Sequence, residues 1–253
     1  MKKSRRISFS QLEIFNECPY HWYVTYIMKM RSPNNPFALF GTAMHSLLEQ
    51  VYKEKIFEPQ PYIERWKNVF RKEYLKGDYP SFEKSMLDWQ LSRGYPMIHN
   101  FFKVAKENDL LKPAVATEKK LTGTFQGYDV IGYTDLIHTV ENKLTIIDYK
   151  TGKKEYDNHT LQATLYKELE NNKRKTNKIE QCAIWYLGNK KLKIIKEDRK
   201  GTALYIKNTI SDMEKMLKEN KFEKRKNQWC SDCIAHLKGM CEKNERITKV
   251  SKK

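Results

Sequence analysis

The sequence lacks the features that would place the chain in or across a membrane. No uninterrupted apolar run approaches the roughly 18 residues that span a bilayer, and the basic N-terminus MKKSRRISFSQLE has no apolar segment of the kind that a secretory signal needs. Internal repeats are also missing, and so is a GxxxxGK[ST] loop, which excludes a P-loop motor within these residues. We therefore expect a cytoplasmic protein with no membrane partner.

Acidic residues are in short supply. The chain has 31 Asp and Glu against 48 Lys and Arg, which gives a formal net charge of +17. Such a surplus predicts an anionic partner, with nucleic acid as the first candidate, because basic side chains attract phosphates regardless of base sequence. The alternative is a lysine-rich surface that is simply solvated. At 253 residues the chain is long enough to bury one sizeable core, so we expect one large domain.

The hydrophobic pattern predicts helices first and strands later. A helix is predicted over 8–30, with Ser8 and Gln11 spaced as a capping box and a break or restart at Pro19. A second helix is predicted over 37–54, followed by a mostly helical insert that GDYP and GYP interrupt. From Ala114 the runs AVATEKKLTG, YDVIGYTDLIHTV and KLTIIDYKTG predict an antiparallel meander. The remaining predicted elements are a helix over 157–171, strands over 181–187 and 190–196, and a helix over 202–220.

An acid and a base stand together at the end of the run IIDYKTG. Asp148 and Lys150 share one face of the predicted strand with Leu144 and Ile146, the face that we expect to point to the core. Burying such a pair costs several kcal/mol unless other groups compensate. A carboxylate there is suited to a divalent metal, and an ammonium group is suited to orienting a water or offsetting charge on a phosphate. A surface hairpin with an ordinary ion pair is the alternative.

Other polar residues are candidates for the same site, and His45, Gln162 and Tyr166 each have a second interpretation. Asp135, in GYTDLIH, would come beside Asp148 through antiparallel pairing, and hard Mg²⁺ favours such paired oxygen ligands. His45, in GTAMHSLLE, lies on a largely apolar helix face, as a core residue or as a ligand of an Mn²⁺-type site. Gln162 and Tyr166 stand four apart in HTLQATLY, where they reach one groove or belong to ordinary helix surface.

Cysteines occur near both ends of the chain. Three lie in CSDCIAHLKGMC, and a fourth lies in NECPY; they are Cys230, Cys233, Cys241 and Cys18. Four thiolates suit zinc or an iron–sulfur cluster equally well by count. Cys182, inside QCAIWYL, is expected in the core, and His236 is a less favoured substitute ligand.

Taken in order, GTAMHSLLE, GYTDLI, IIDYKTG and QATLY resemble the motifs of the RecB-type nucleases of the PD-(D/E)XK superfamily. The resemblance implies an α/β, restriction-endonuclease-like fold with a mixed central sheet flanked by helices, and metal-dependent hydrolysis of DNA. The implied metal ligands are His45, Asp135, Asp148 and the backbone carbonyl of Tyr149. Lys150 would be the catalytic lysine, acting with the two aspartates. Gln162 and Tyr166 would contact DNA or support the site, and Glu118 would be a supporting acid.

The cysteine pattern resembles one subset of that family, which includes the AddB nuclease domain and the nucleases of CRISPR adaptation. In this subset one cysteine before the nuclease core and three after it bind a 4Fe–4S cluster. The resemblance therefore implies a structural cluster on Cys18, Cys230, Cys233 and Cys241, with zinc as the less favoured metal. The whole chain, 1–253, is then a single nuclease domain. Its predicted parts are an N-terminal helix (1–30), a helical insert (59–111), a catalytic core (114–200) and a cluster-binding tail (222–245).

The function that the resemblance implies is an Mg²⁺- or Mn²⁺-dependent deoxyribonuclease. An exonuclease acting on DNA ends or single strands is favoured over an endonuclease, because the cluster-bearing relatives commonly work from ends. The pathway stays open among DNA repair or recombination, phage replication and CRISPR adaptation, with the protein acting alone or with a separate helicase or recombination partner. One alternative is a non-catalytic DNA-binding module that keeps the fold and cluster as a scaffold. A zinc-ribbon interaction protein would leave IIDYKTG unexplained.

Overall fold

The structure of the protein is a computed structural model that describes residues 6–32, 35–76, 83–228 and 230–241. Its strands are β1 (Ile7–Ser8), β2 (Ala116–Phe125), β3 (Tyr128–Val140), β4 (Lys143–Lys150), β5 (Gln181–Tyr186) and β6 (Lys191–Ile195). Its helices are α1 (Phe9–Glu17), α2 (Pro19–Trp22), α3 (Pro36–Glu54), α4 (Gln60–Lys76), α5 (Lys84–Glu107), α6 (Asp157–Asn171), α7 (Arg199–Glu219) and α8 (Ile234–Leu237). In the described ranges, no helix is both long enough and apolar enough to span a bilayer.

The strands form one mixed sheet, which agrees with the predicted fold class. Its order is β2, β3, β4, β5, β6, and the short β1 pairs with the early part of β3. The β2–β3, β3–β4 and β5–β6 pairs are antiparallel, whereas β1 runs parallel to β3 and β4 runs parallel to β5. The parallel β4–β5 step requires a crossover, and α6 supplies it. The predicted meander is therefore present as the antiparallel part of the sheet.

Two tight turns set the register of the meander. Gln126 and Gly127 connect β2 to β3 with φ of 51° and 84°, and Glu141 and Asn142 connect β3 to β4 with φ of 50° and 61°. Two consecutive residues with positive φ are the mark of a two-residue hairpin turn whose twist matches that of the strands. Counting from these turns therefore fixes which residues face each other across the three strands.

Helices cover both faces of the sheet. On one face, α1, α2, α6 and α7 pack over Ile137 and Ile146, and on the other, α3, α4 and α5 pack over Leu136 and Ile147. The central strand β4 is consequently buried on both sides. The expectation that only one face of this strand points to the core is wrong, because helices occupy both layers.

The helical insert differs from its prediction at GYP. Helix α5 continues through Gly94 and Pro96 without interruption. A Cβ at residue 94 would lie 2.1 Å from the Trp66 ring, so the glycine permits close packing of α5 on α4, and the Trp66 indole N–H donates to the Leu91 carbonyl at 2.7 Å. The helix survives its proline because tertiary packing holds it. The other predicted interruption, GDYP, lies outside the described residues.

The N-terminal segment is not one continuous helix. The backbone of Ser8 ends β1 while its hydroxyl caps α1 by accepting from Gln11 N at 3.3 Å. Cys18 then adopts an extended conformation and Pro19 begins α2, which continues as a π-helical turn over Tyr23–Ile27. The restart at Pro19 agrees with the prediction, whereas helix up to residue 30 was an overextension. The outer ends of the predicted segments 1–30 and 222–245 lie outside the described residues.

Candidate active site and cysteine centre

A row of three carboxylates crosses the sheet. Thr117 pairs with Leu136 and Lys119 with Thr134 across β2 and β3, which puts Glu118 opposite Asp135. Across β3 and β4, Leu136 pairs with Ile147, which puts Asp148 on the other side of Asp135. Like charges directly opposite each other destabilise a sheet, so three adjacent acids require a compensating group.

Helix α3 places His45 over the middle of this row. His45 Nδ1 lies 2.9 Å from Asp135 Oδ1, and the other oxygen of Asp135 accepts from the backbone N–H of Tyr149 at 2.5 Å. The Tyr149 ring meets the His45 ring edge to face, with centroids 5.7 Å apart. Both oxygens of Asp135 are thus held, and the imidazole is packed against the strand that carries Asp148.

A second chain of contacts leads from Asp148 to α6. Lys150 Nζ lies 2.8 Å from Asp148 Oδ2 and donates to Gln162 Oε1 at 2.7 Å. The Gln162 amide N–H in turn donates to the Tyr166 hydroxyl at 3.1 Å. The predicted pair on α6 therefore lies at the site and positions the lysine. Gly132 permits this approach, because a Cβ there would lie 2.4 Å from the Tyr166 ring.

Glu118 has an unusual backbone. Its φ is 43°, in the left-handed region that a non-glycine residue in a strand rarely adopts, at a cost on the order of 1–3 kcal/mol. The register on both sides of it is unchanged, so the distortion is local. One potential ligand atom from each of His45, Glu118 and Asp135 lies within 4.8 Å of the others.

The predicted ligand set and the observed grouping differ in one member. The sequence predicted His45, Asp135 and Asp148, with Glu118 in support. In the structure, the closest grouping is His45, Asp135 and Glu118, and Asp148 flanks it on the neighbouring strand. The backbone N–H of Tyr149 is engaged by Asp135; a ligand role for its carbonyl stays a prediction.

The electrostatics show an excess of negative charge. Burial and Asp135 raise the pKa of Glu118 to about 7. Burial also raises the pKa of Asp148, although Lys150 opposes the shift. Burial alone would lower the pKa of His45, but Asp135 and the other two acids raise it to about 9. Each shift reflects carboxylates crowded in a poorly solvated place, which a bound cation would relieve.

One oxygen of this site has no hydrogen bond. Asp148 is buried, with 7% of its surface exposed, and its Oδ2 atom accepts no hydrogen bond of good geometry although Lys150 Nζ is near. A buried carboxylate oxygen without a hydrogen bond costs free energy. The residues present therefore fit a hard divalent cation, which prefers oxygen ligands.

The four predicted cluster cysteines come from opposite ends of the described chain and line one cavity of about 320 Å³: Cys18, Cys230, Cys233 and Cys241. All are free thiols. The Cys18 sulfur accepts backbone N–H bonds from His21 and Arg225, each at 3.4 Å, and the Cys230 sulfur accepts one from Asn227 at 3.3 Å. Backbone N–H groups thus point at two of the four sulfurs.

His236, the less favoured substitute ligand, also lines the cavity. Cys182 lies elsewhere, fully buried in the core, with its thiol 3.3 Å from the Ala163 carbonyl. Burial and the neighbouring cysteines raise the pKa of Cys241, because several thiolates together repel each other. The residues fit a cationic metal group that would offset this charge.

The comparisons with known proteins agree with this arrangement. The sequence profile of the PD-(D/E)XK nuclease superfamily matches residues 6–241. The chain belongs to that superfamily and is a nuclease, which implies DNA as its substrate. No curated protein sequence matches the chain.

Two solved structures resemble the fold. A protein from Eubacterium rectale, whose assignment as an exonuclease is provisional, is 13% identical with a TM-score of 0.58, and the alignment covers 98% of this chain and 91% of that chain. The protein SSO0001 is 17% identical with a TM-score of 0.41, over 98% of this chain and 90% of that chain. The first similarity supports the fold, and the second is too low to carry an argument.

Proposed function

We propose that this chain is a divalent-metal-dependent deoxyribonuclease that degrades DNA from ends or as single strands, and that a 4Fe–4S cluster joins its two termini. The observation that carries the catalytic part is the row of Glu118, Asp135 and Asp148 with Lys150 at its edge. Three adjacent acids, of which Asp135 and Asp148 are buried and Glu118 is half-buried, are unfavourable without a cation.

His45, Asp135, Glu118 and Asp148 would hold the ion. Bound there, Mg²⁺ or Mn²⁺ supplies Lewis acidity for the attacking water and offsets the charge that builds on the phosphate. The protein contributes the positioning: Asp135 is fixed by His45 and by Tyr149 N–H. The aspartate is thereby oriented before any substrate arrives.

Lys150 supplies a positive charge next to the acids. Burial would lower the pKa of Lys150, but Asp148 outweighs this and raises it, so the ammonium stays charged at neutral pH. Gln162 holds it from the other side. A fixed ammonium aimed at the reacting phosphate stabilises negative charge in the transition state.

The cysteine cavity supports a metal group held by four thiolates, because Cys18, Cys230, Cys233 and Cys241 all line it. Zinc and an iron–sulfur cluster both take four such ligands. We favour the cluster because the spacing of these cysteines resembles that of the cluster-bearing nucleases. The cluster would be structural, because it lies at the chain ends and shares none of the residues placed at the active site.

The activity is tested with DNA labelled separately at each end, in linear and circular form, with and without Mn²⁺. We expect Mn²⁺-dependent loss of label from the linear DNA, with circular double-stranded DNA resistant, and Lys150→Ala inactive. Binding without cleavage by the wild-type protein would instead identify a non-catalytic DNA-binding module. Cleavage that Lys150→Ala leaves intact would contradict the proposed site.

The cluster is tested by purification without oxygen. We expect a brown protein with about four iron atoms per chain, and a colourless protein with one zinc would contradict the cluster. Metal analysis of the Cys182→Ala variant is the matched control, since this buried cysteine lies outside the cavity and its removal should leave the iron content unchanged.

A further inference from the structure

Two clefts adjoin His45, and their charges are opposite. One has a volume of about 480 Å³, and we call it the basic cleft; its side chains include Lys150, Lys153, Lys154, Tyr156 and His159. The other has a volume of about 680 Å³, and we call it the acidic cleft; its side chains include Glu49, Glu73, Glu118 and Tyr133. Both clefts lead to His45, so each is a candidate path for a DNA strand to the acids of the site.

The positive charge of the basic cleft is available to a ligand. No Asp or Glu of the described residues lines it. The nearest acid in sequence, Glu155, is engaged by Lys191 at 3.1 Å and by Lys193, so it leaves Lys153 and Lys154 unneutralised. Burial and Lys150 lower the pKa of His159 to about 4, which makes this ring neutral. The charge of the cleft therefore comes from its lysines.

Tyr156 presents an aromatic surface within the basic cleft. Its exposed fraction is 46%, although His159 packs edge to face on it with centroids 5.3 Å apart and Lys154 Nζ lies 4.8 Å from its ring centroid. The ring is thus oriented by two neighbours and still open to solvent. An oriented aromatic ring beside lysines is the combination that holds single-stranded nucleic acid, through base stacking and phosphate contacts.

The acidic cleft has an equally exposed tyrosine in the opposite surroundings. Tyr133 has an exposed fraction of 51%. Lys53 and Lys76 pair with Glu49 and Glu73, each at 2.5 Å, but neither lysine lines the cleft, and no other Lys or Arg of the described chain does. A phosphate backbone in this cleft would meet carboxylates, two of them paired with lysines, and no Lys or Arg of the described residues.

We infer that the basic cleft holds the substrate as a single strand, with a base stacked on Tyr156 and phosphates on Lys153 and Lys154, and that the acidic cleft does not carry the strand. The inference rests on the proposed nuclease function and identifies the surface that binds its substrate. It agrees with the proposed preference for ends, because a strand bound on one side of the acids only would terminate near them.

The test compares the two tyrosines. A fluorescent oligothymidine is titrated in EDTA, which separates binding from cleavage, and its anisotropy gives the dissociation constant. We expect Tyr156→Ala to weaken binding about 5- to 150-fold, the range for the loss of one stacked base, whereas Tyr156→Phe keeps the stack. Tyr133→Ala should change the affinity by less than about twofold.

A second variant tests the lysines independently. The double variant Lys153→Ala with Lys154→Ala should weaken binding and reduce the slope of log K against log salt by about 0.7 for each phosphate that a lysine no longer neutralises. Thermal unfolding confirms that each variant is folded. Equal losses of affinity for Tyr156→Ala and Tyr133→Ala, or an unchanged salt slope, would overturn the inference.

Different results would contradict the proposed function and this inference. If the wild-type protein with Mn²⁺ leaves every DNA intact, the proposed function is wrong, whatever the binding data. If the wild type cleaves DNA and the Tyr156 and lysine variants bind as tightly as it does, only the assignment of the basic cleft is wrong.

Discussion

The candidate active site and the cysteine centre are assembled in different ways. The active site draws on neighbouring strands, whose ladders and tight turns put its acids side by side, and on helices α3 and α6, which carry His45 and Gln162. The cysteine centre joins Cys18 to a tail more than 200 positions later, as the separation of 207 between Cys18 and Arg225 records. Regular secondary structure places the residues of the first site, whereas contacts between segments far apart in the sequence place those of the second.

We therefore expect the active site to determine the reaction and the cysteine centre to contribute to the stability of the fold. Backbone pairing places the acids whether or not an ion is bound, so the active site is organised in advance. At the cysteine centre, Tyr20 N–H donates to the Glu223 carbonyl at 3.0 Å and Arg225 donates to the Asn16 carbonyl at 2.9 Å. Phe222 and Ala235 of the tail also pack into the core, and a cross-link would add to these contacts by restricting the unfolded chain. A cross-link there would stabilise the fold without touching the reaction.

The largest expected effect comes from Lys150→Ala. Removing one preorganised group that stabilises the transition state typically lowers kcat about 10²- to 10³-fold. With saturating Mn²⁺ the melting temperature should change little, because the ion offsets the charge of the buried Asp148 that loses its partner and strand pairing still places the acids. Cleavage rates with saturating Mn²⁺ and the melting temperature, measured together, check this.

If Lys150→Ala lowered the melting temperature strongly as well as the activity, Lys150 would be needed for the fold, and the contrast between the two sites would be wrong. Gln162→Ala is the matched variant for position. It leaves the ammonium in place but removes the amide that holds it, so kcat should fall less than in Lys150→Ala, and the pH dependence of the rate should stay close to that of the wild type.

Cys18→Ala should have the opposite effects, with a loss of stability and little loss of activity. By analogy with removal of a disulfide that closes a long loop, losing this cross-link should lower the free energy of unfolding by about 2–5 kcal/mol. We expect the iron content to fall and the midpoint of denaturant unfolding to drop, with cleavage retained at low temperature. The midpoint and the cleavage rate are measured on the same preparation.

Cys182→Ala controls for the loss of any buried thiol. It deletes one sulfur from the core and one hydrogen bond to Ala163, so the destabilisation should be smaller, about 1 kcal/mol, with iron retained. If both cysteine variants had the same effect on stability and iron, the separation between core and cross-link would be wrong.

The sequence predicts the sheet better than it predicts the details of the site. The strand-like runs separated by TFQG and ENK predict the meander, and the tight turns that the structure has at 126–127 and 141–142 fix the register by counting. The register in turn aligns Glu118 with Asp135 and Asp148. The sequence therefore contains the signal that aligns the three acids, and a ligand role for Glu118 beyond the supporting role that the resemblance implies is a proposal.

Features that depend on tertiary contact were not predictable in this way. The continuity of α5 through Gly94 and Pro96 depends on Trp66, which lies in another helix. The positive φ of Glu118 has no local sequence signal either, since Thr117 and Lys119 on both sides keep ordinary strand pairing. Local propensity cannot report a conformation that packing and charge impose.

The smallest expected effect tests that strained acid. Asn tolerates positive φ better than Glu does, so Glu118→Asn should leave the free energy of unfolding within about 1 kcal/mol of the wild type. It removes one carboxylate, and we expect Mn²⁺ affinity, measured by calorimetry without DNA, to fall about 10-fold, as for loss of one supporting group at a metal site. Glu118→Gln keeps the side-chain length and should weaken binding similarly. Unchanged affinity in both variants would leave the ion to the remaining residues, and the strain at Glu118 would then have no role at the metal centre.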